Sequence, residues 1–175
     1  MAEGEQPNPG RIKPILKLLA FTLVVPCSVA VWVPYFFWPS IGMSSYKAGH
    51  FTPVGILPIA LGTSGYFWCA WDFAFVGRGT PAPIDPPKVL VARGLYRFVR
   101  NPMCVSVILI LLGESLLFES PRLLRYALTV WVFFHLFVVF YEEPALRNKF
   151  GVSYEDYCRA VPRWIPRLMR PRKTA

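Results

Sequence analysis

Residues 94–144 read GLYRFVRNPMCVSVILILLGESLLFESPRLLRYALTVWVFFHLFVVFYEEP. Two apolar runs stand back to back, Pro102 to Phe118 and Leu123 to Tyr141. A polar motif closes each outer end: Gly94-Leu95-Tyr96-Arg97-Phe98-Val99-Arg100-Asn101-Pro102-Met103 before them and Tyr141-Glu142-Glu143-Pro144 after. The turn between the runs, Glu119-Ser120-Pro121, is so short that the two helices must be antiparallel neighbours. Both motifs then face the same side of the membrane. Ionisable groups there are costly unless they serve one another or a ligand, which puts the expected site at that end of the hairpin.

Hydrocarbon about 30 Å thick takes roughly 20 apolar residues in a helix, because unsatisfied backbone groups are too costly in lipid for irregular structure. Beyond the hairpin, Ile15 to Trp38 and Phe51 to Val76 approach that length, the latter interrupted by Pro53, Pro58 and glycines. Of 175 residues 54% are apolar and only 17% charged, with the charges gathered between the runs; a soluble core needs no such segregation. The expected fold is all-α, a polytopic membrane helix bundle of about four transmembrane helices with a C-terminal cytoplasmic amphipathic helix. One integral membrane domain over residues 11–166 follows, between a mobile N-terminus at 1–10 and a basic tail at 167–175. The first span is long and no small-residue cleavage site closes it, so it reads as retained and not as a signal peptide.

Charge placement fits the four-span expectation. Arg11, Lys13 and Lys17 precede span one, and Lys47 alone lies between spans one and two. Arg78, Lys88, Arg93, Arg97 and Arg100 follow span two, Arg122 and Arg125 sit at the next turn, and every other basic residue comes after Tyr141. Alternating poor and rich loops put both termini and the long middle loop on the cytoplasmic side. The net charge of +9 therefore reports topology and attraction to anionic lipid; no nucleic-acid recognition module accompanies it.

Two other signals are weaker than they look. Cys27, Cys69, Cys104 and Cys158 are widely spaced, without a Cys-x-x-Cys pair or Cys/His cluster suited to zinc, so no metal is expected and packing is the ordinary role. Gly77-Arg78-Gly79-Thr80-Pro81-Ala82 matches a dinucleotide fingerprint in letters only, since a membrane span precedes it and prolines follow. A stiff extended connector remains, able to line a pocket through its backbone.

At the hairpin ends, Asn101 can cap the first turn of the helix that Pro102 opens. Regular helical spacing places Trp131, His135, Val138 and Glu142 on one stripe and Glu143 about 100° away, where it can pair with Arg147 if the helix continues through Pro144. His135 reads as a hydrogen-bonded packing residue. Glu114, inside span three, must be buried in the bundle or line a polar cavity, where it is a candidate for a substrate or proton role. Further on, Ser153-Tyr154-Glu155-Asp156 reads as a capped helix start carrying Tyr154, Tyr157 and Val161 on one face. Arg163-Trp164-Ile165-Pro166-Arg167 reads as an interfacial anchor.

Taken in order, the Gly94–Met103 motif, the hairpin, Glu142-Glu143-Pro144-Ala145-Leu146, Phe150-Gly151, Tyr154, Tyr157 and Val161-Pro162-Arg163-Trp164-Ile165-Pro166 resemble the isoprenylcysteine carboxyl methyltransferase and phospholipid methyltransferase superfamily. The resemblance covers about half the chain. It implies an integral membrane methyltransferase with S-adenosylmethionine as cofactor. By position, Tyr96, Arg97, Asn101 and Pro102 would contact that cofactor and Glu142 or Glu143 would hold its amino or ribose groups; the face carrying Tyr154 and Tyr157 reads by default as part of the anchor, with packing of the two tyrosines under the cofactor as the alternative. Many members carry histidine where this chain has Asn101, and some carry arginine where it has Val138.

Methyl transfer from a sulfonium mainly asks for positioning and exclusion of water. A carboxylate or thiolate acceptor needs no strong base but orientation, for which Arg97, Arg100 or Arg147 is a candidate, whereas an amine or phenol needs proton removal by Glu114 or one of the paired acids. The expected partners are the bilayer and a lipophilic methyl acceptor reaching the site from lipid. The competing readings are an NADPH-dependent membrane reductase of related architecture and a non-enzymatic membrane scaffold.

Overall fold

The computed structural model describes residues 19–36, 52–73 and 89–166. The N-terminus at 1–10, the basic residues Arg11, Lys13, Lys17 and Lys47, the connector at 77–87 and the tail at 167–175 lie outside the described residues. Among the described residues there are helices and no strand. They are α1 (Leu19–Phe36), α2 (Thr52–Asp72), α3 (Pro102–Leu117), α4 (Pro121–Phe150) and α5 (Val152–Ala160). A single 3₁₀ turn at Gly94–Arg97 leads into α3.

Three helices, Leu19–Phe36, Val54–Asp72 and Pro121–Phe150, are long and apolar enough to cross a membrane. α3 is apolar but has only 16 residues. At 1.5 Å per residue it is about 24 Å long, short of a hydrocarbon core about 30 Å thick. Leu23, Phe36, Leu57, Trp71, Phe133 and Phe140 are each more than half exposed. Large apolar side chains turned outward along such helices are what an integral membrane protein offers to lipid.

The prolines that interrupt the second apolar run in sequence do not break α2, which passes through Pro58 as one helix. Neighbouring helices re-satisfy backbone groups freed by proline in a membrane span. Here the neighbour is α3, packed against α2 along its length. A Cβ added at Gly55 would lie 2.6 Å from the Leu117 backbone nitrogen, and one at Gly113 would lie 2.6 Å from Ile59 Cγ1 and 2.7 Å from the Gly55 carbonyl oxygen. The two backbones therefore touch where both helices have glycine, and lipid, as apolar as leucine, offers no competing gain.

The α3–α4 turn forms as the sequence predicts. Glu119 takes a positive φ of 47°, the Ser120 hydroxyl accepts from the Leu123 amide at 3.4 Å, and Pro121 occupies the first turn of α4. A core of Tyr66, Ala70, Val107, Leu111, Ala127 and Val130 joins α2, α3 and α4. α1 is tied to it by Thr22 Oγ1 with the Tyr66 hydroxyl at 2.9 Å, and by the Tyr126 hydroxyl donating to the Val29 carbonyl at 2.9 Å. The hairpin ends are thereby brought together, next to the 3₁₀ turn and α5.

Candidate functional site

Proline at 144 has no N–H to donate to the carbonyl four residues back, and its ring collides with that carbonyl in a regular helix. α4 resolves the conflict by widening into a π-turn over Val138–Glu142, in which the Glu143 amide donates to the Val138 carbonyl. Residues five apart then share a face. Val138 is fully buried and Glu143 only 4% exposed, while Glu142 is half-buried and Arg147 exposed. The regular spacing expected for this segment put Glu142 on the buried stripe and Glu143 with Arg147; the inserted turn exchanges the roles of the two acids. The helix does continue through Pro144, but the Glu143–Arg147 ion pair does not form.

Glu143 is instead gripped from two other segments. Arg163 Nε and Nη2 donate to its two carboxylate oxygens at 2.6 and 2.9 Å, a bidentate fork. Arg100 Nη1 lies 3.1 Å from Oε1 and also donates to Cys158 Sγ at 2.7 Å. The backbones of the same segments are joined. The Arg100 amide donates to the Pro162 carbonyl at 2.9 Å, and Asn101 Nδ2 donates to the Arg163 carbonyl at 3.2 Å. Asn101 therefore does not cap α3 with its side chain, because its amide is turned toward the C-terminal segment.

The Arg163-Trp164 pair turns inward and not out to an interface. Trp164 Nε1 donates to His135 Nδ1 at 3.0 Å, and the His135 ring lies between those of Trp131 and Trp164 at 5.8 and 6.0 Å. His135 is thus the hydrogen-bonded packing residue expected. α5 starts at Val152 behind Gly151, whose φ is +53°, with no side-chain cap, so the Ser153 cap is not made. Its predicted inner face is present: Tyr154 and Val161 are buried, and the Tyr157 hydroxyl donates to the Tyr96 carbonyl at 2.7 Å.

Tyr96 sits at the centre of this end, on the 3₁₀ turn, 7% exposed, its ring 5.5 Å from that of Phe73. Burial pushes its phenol well above the ordinary value, with the nearby Cys69 and Glu142 adding to the effect. Burial likewise raises Tyr154, where Cys158 and Glu143 contribute, and Tyr157, where the Arg100 charge partly opposes it. All three phenols therefore remain protonated and able to donate. Glu142 lies within electrostatic reach of Tyr96 and Cys104, yet makes no ion pair or hydrogen bond among the described residues. Arg97, one residue beyond Tyr96, is exposed.

Tyr96, Arg100, Asn101, Glu142, Glu143, Tyr154 and Tyr157 are thus gathered at one end of the bundle, with Pro102 buried beside them and Arg97 on the same turn. Glu114 is not among them. It stands 12 residues along α3 from Pro102, about 18 Å at 1.5 Å per residue. Its Oε2 is buried without a hydrogen-bond partner. Sequence reasoning missed Arg163 and Cys158 as partners of Arg100 and Glu143. The only hint was the order Arg163-Trp164 after a short helix, which reads equally well as an anchor.

The phospholipid methyltransferase family matches residues 51–153, more than half of the chain. Protein-S-isoprenylcysteine O-methyltransferase of Schizosaccharomyces pombe is 37% identical over 79 residues, covering 45% of this chain and 33% of that protein. Methanethiol S-methyltransferase 2 of Bradyrhizobium diazoefficiens is 32% identical over 80 residues, 46% of this chain and 30% of its own length. The nickel-cobalt-cadmium resistance protein NccN of Alcaligenes xylosoxydans xylosoxydans is 28% identical over 115 residues, 66% of this chain and 49% of that one. The chain spans between 30% and 49% of the length of these relatives.

Removing one partner of a buried ion pair strands the others, at a cost of about 3 to 5 kcal/mol. Glu143→Ala should lower stability by that amount, read as a fall in Tm in detergent. Arg147→Ala, at an exposed position, should change it by no more than about 0.5 kcal/mol.

The phenols make a second prediction. An unfolded tyrosine releases its proton near pH 10, about where Tyr96, Tyr154 and Tyr157 still hold theirs. Above that pH the unfolded chain binds fewer protons than the folded one, so stability is complete below about pH 10 and falls as pH rises beyond it. Thermal unfolding should give a flat Tm from about pH 8 to 10 and a decline above that is shallower in Tyr157→Phe.

Proposed function

The chain belongs to the phospholipid methyltransferase family, and from that premise we propose that it transfers a methyl group from S-adenosylmethionine to a lipophilic acceptor that reaches the site from the bilayer. The observation that carries this reading is Glu142, a half-buried carboxylate without an ion pair among the described residues, set beside the buried Tyr96 turn. A carboxylate kept free in such a place suits a cationic ligand, and the donor carries both an ammonium and a sulfonium.

In this reading α3 is a fourth crossing, and the Tyr96 turn, α5 and both termini lie on the cytoplasmic side. When bound, S-adenosylmethionine supplies an electrophilic methyl group. The chain supplies position and dryness. Glu142 accepts from the donor's ammonium or ribose hydroxyls. Tyr157 fixes the Tyr96 carbonyl and so the turn from which Tyr96 and Arg97 face the ligand. Asn101 and Pro102 form the wall at the start of α3, and Tyr154 packs behind it. Arg100 and Arg163 both pair with Glu143, so Arg100 and Glu143 hold the wall and do not contact the reacting atoms. Reacting groups held about 3 to 3.5 Å apart in a water-poor site gain most of what this reaction needs.

For the acceptor, the relatives are named for transfer to oxygen and to sulfur, which favours a lipophilic carboxylate or thiol over an amine. Neither a carboxylate nor a thiolate needs a strong general base, the thiol losing its proton to solvent before transfer. Val138, fully buried, offers no cation, which leaves the exposed Arg97 to orient the acceptor. Glu114, at the far end of α3, takes no part in donor binding.

Losing a charged hydrogen-bond partner costs about 2 kcal/mol, or roughly 30-fold in affinity. Calorimetry in detergent should therefore show Glu142→Ala binding S-adenosylmethionine about 30-fold more weakly than wild type, and Glu114→Gln binding it equally well. Equal binding by Glu142→Ala would remove the reading.

A further inference from the structure

Asp72, the last residue of α2, is 2% exposed. Oδ1 is 3.0 Å from Arg93 Nε, and the Arg93 side chain is itself 61% exposed. Oδ2 is buried and has no hydrogen-bond partner. An isolated buried carboxylate is expensive, so this one persists only because Arg93 holds it. Nothing in the family match or the names of the relatives assigns it a task.

Its surroundings supply one. The residue after Arg93 is Gly94, at φ +56°, and a Cβ there would run into Asp72 Oδ2 and lie 3.0 Å from Trp68 Nε1. The carboxylate therefore fills the space a side chain at 94 would need, and the positive φ that starts the Gly94–Arg97 turn is available because that residue is glycine. One turn earlier on α2, Cys69 is fully buried against Tyr96 and Val91. The end of α2 thus holds residues 93, 94 and 96 of a single short segment, by ion pair, steric contact and side-chain packing. Two residues of that segment, Tyr96 and Arg97, face the ligand in the proposed donor site.

We propose that Asp72 is a positioning residue for that site: from the end of α2 it sets the Gly94–Arg97 turn, and through the turn the places of Tyr96 and Arg97. The inference rests on the methyltransferase reading for its ligand, but not for its geometry. Asp72 and Arg93 act as one unit, so either alone should be enough to release the turn.

The test uses full-length protein in detergent with Asp72→Asn, Arg93→Gln and the double variant. Arg93→Gln alters an exposed side chain, leaves the sequence of α2 as it is and keeps an amide able to donate to Asp72, while Asp72→Asn removes the buried charge itself. Misplacement of about 1 Å can cost as much as 100-fold in function; a turn merely loosened should raise the Kd and KM for S-adenosylmethionine by about tenfold in each single variant, with kcat little changed. The double variant should bind no worse than the weaker single one, as coupled residues do. A merely structural role would lower Tm and the active fraction without moving KM. Hydrogen–deuterium exchange gives a reading that does not need the donor: residues 93–100 should exchange faster in Arg93→Gln while α4 stays as protected as in wild type. Unchanged exchange over 93–100, unchanged donor affinity in folded Arg93→Gln, or additive losses in the double variant would overturn the proposal. Failure of the wild-type protein to bind S-adenosylmethionine would overturn the donor-site reading and this role in it, whereas exchange would still show whether Asp72 sets the turn.

Discussion

A carboxylate withdrawn from water costs several kcal/mol unless cations and donors replace its hydration. Glu143 is such a group, 4% exposed, and the arginines that replace its water come from either side of the hairpin, Arg100 ahead of it and Arg163 beyond α5. No arrangement that leaves the C-terminal segment detached can satisfy it. The cost of burying one acid thus dictates that residues 161–164 lie across the start of α3. The backbone bond from Arg100 to Pro162, the amide of Asn101 on the Arg163 carbonyl and the indole of Trp164 on His135 follow from that placement. With the segment down, Tyr157 reaches the Tyr96 carbonyl, and Glu142, the other of the paired acids, is left without an ion pair or hydrogen bond among the described residues.

Much of the architecture was legible because its causes are local or periodic. Apolar runs of span length, a three-residue turn and a proline at the head of each hairpin helix leave few alternatives for residues 102–141. What was not legible has a common physical cause. The assignment of the two acids depended on a helical period that Pro144 disturbs, and the π-turn moved the buried position from Glu142 to Glu143. Asn101 was read as a cap because its neighbour opens a helix, but its side chain accepts no amide there and is turned so that Nδ2 donates to a carbonyl 62 residues away. Arg163 and Trp164 have the composition of an interfacial anchor, and nothing in the local sequence shows that a buried acid and a histidine wait for them. Glu114 and Glu142 looked alike as acids at apolar runs; only the length of α3 separates them.

The family match and a bundle of helices long and apolar enough to cross a membrane are consistent with one another, and the departures from the family pattern fall where the fold makes them tolerable. Asn101 keeps a polar donor at the start of α3, although an imidazole is lost. Val138 contributes to packing under the π-turn, and its burial next to Glu143 leaves little room for a longer cationic side chain. In the proposed reading the donor side of the site sets Glu142, unpaired among the described residues, among residues with defined partners, and the acceptor side opens toward exposed Arg97.

The central claim is that the donor lies between the Tyr96 turn and the π-turn of α4, under the C-terminal segment. Ultraviolet cross-linking of methyl-labelled S-adenosylmethionine to the full-length protein in detergent, followed by peptide mapping, tests it most directly. Label should fall on peptides containing residues 94–104 and 138–157, and excess unlabelled donor should compete it away. Label confined to residues 105–125, around Glu114 and the far turn, would contradict it.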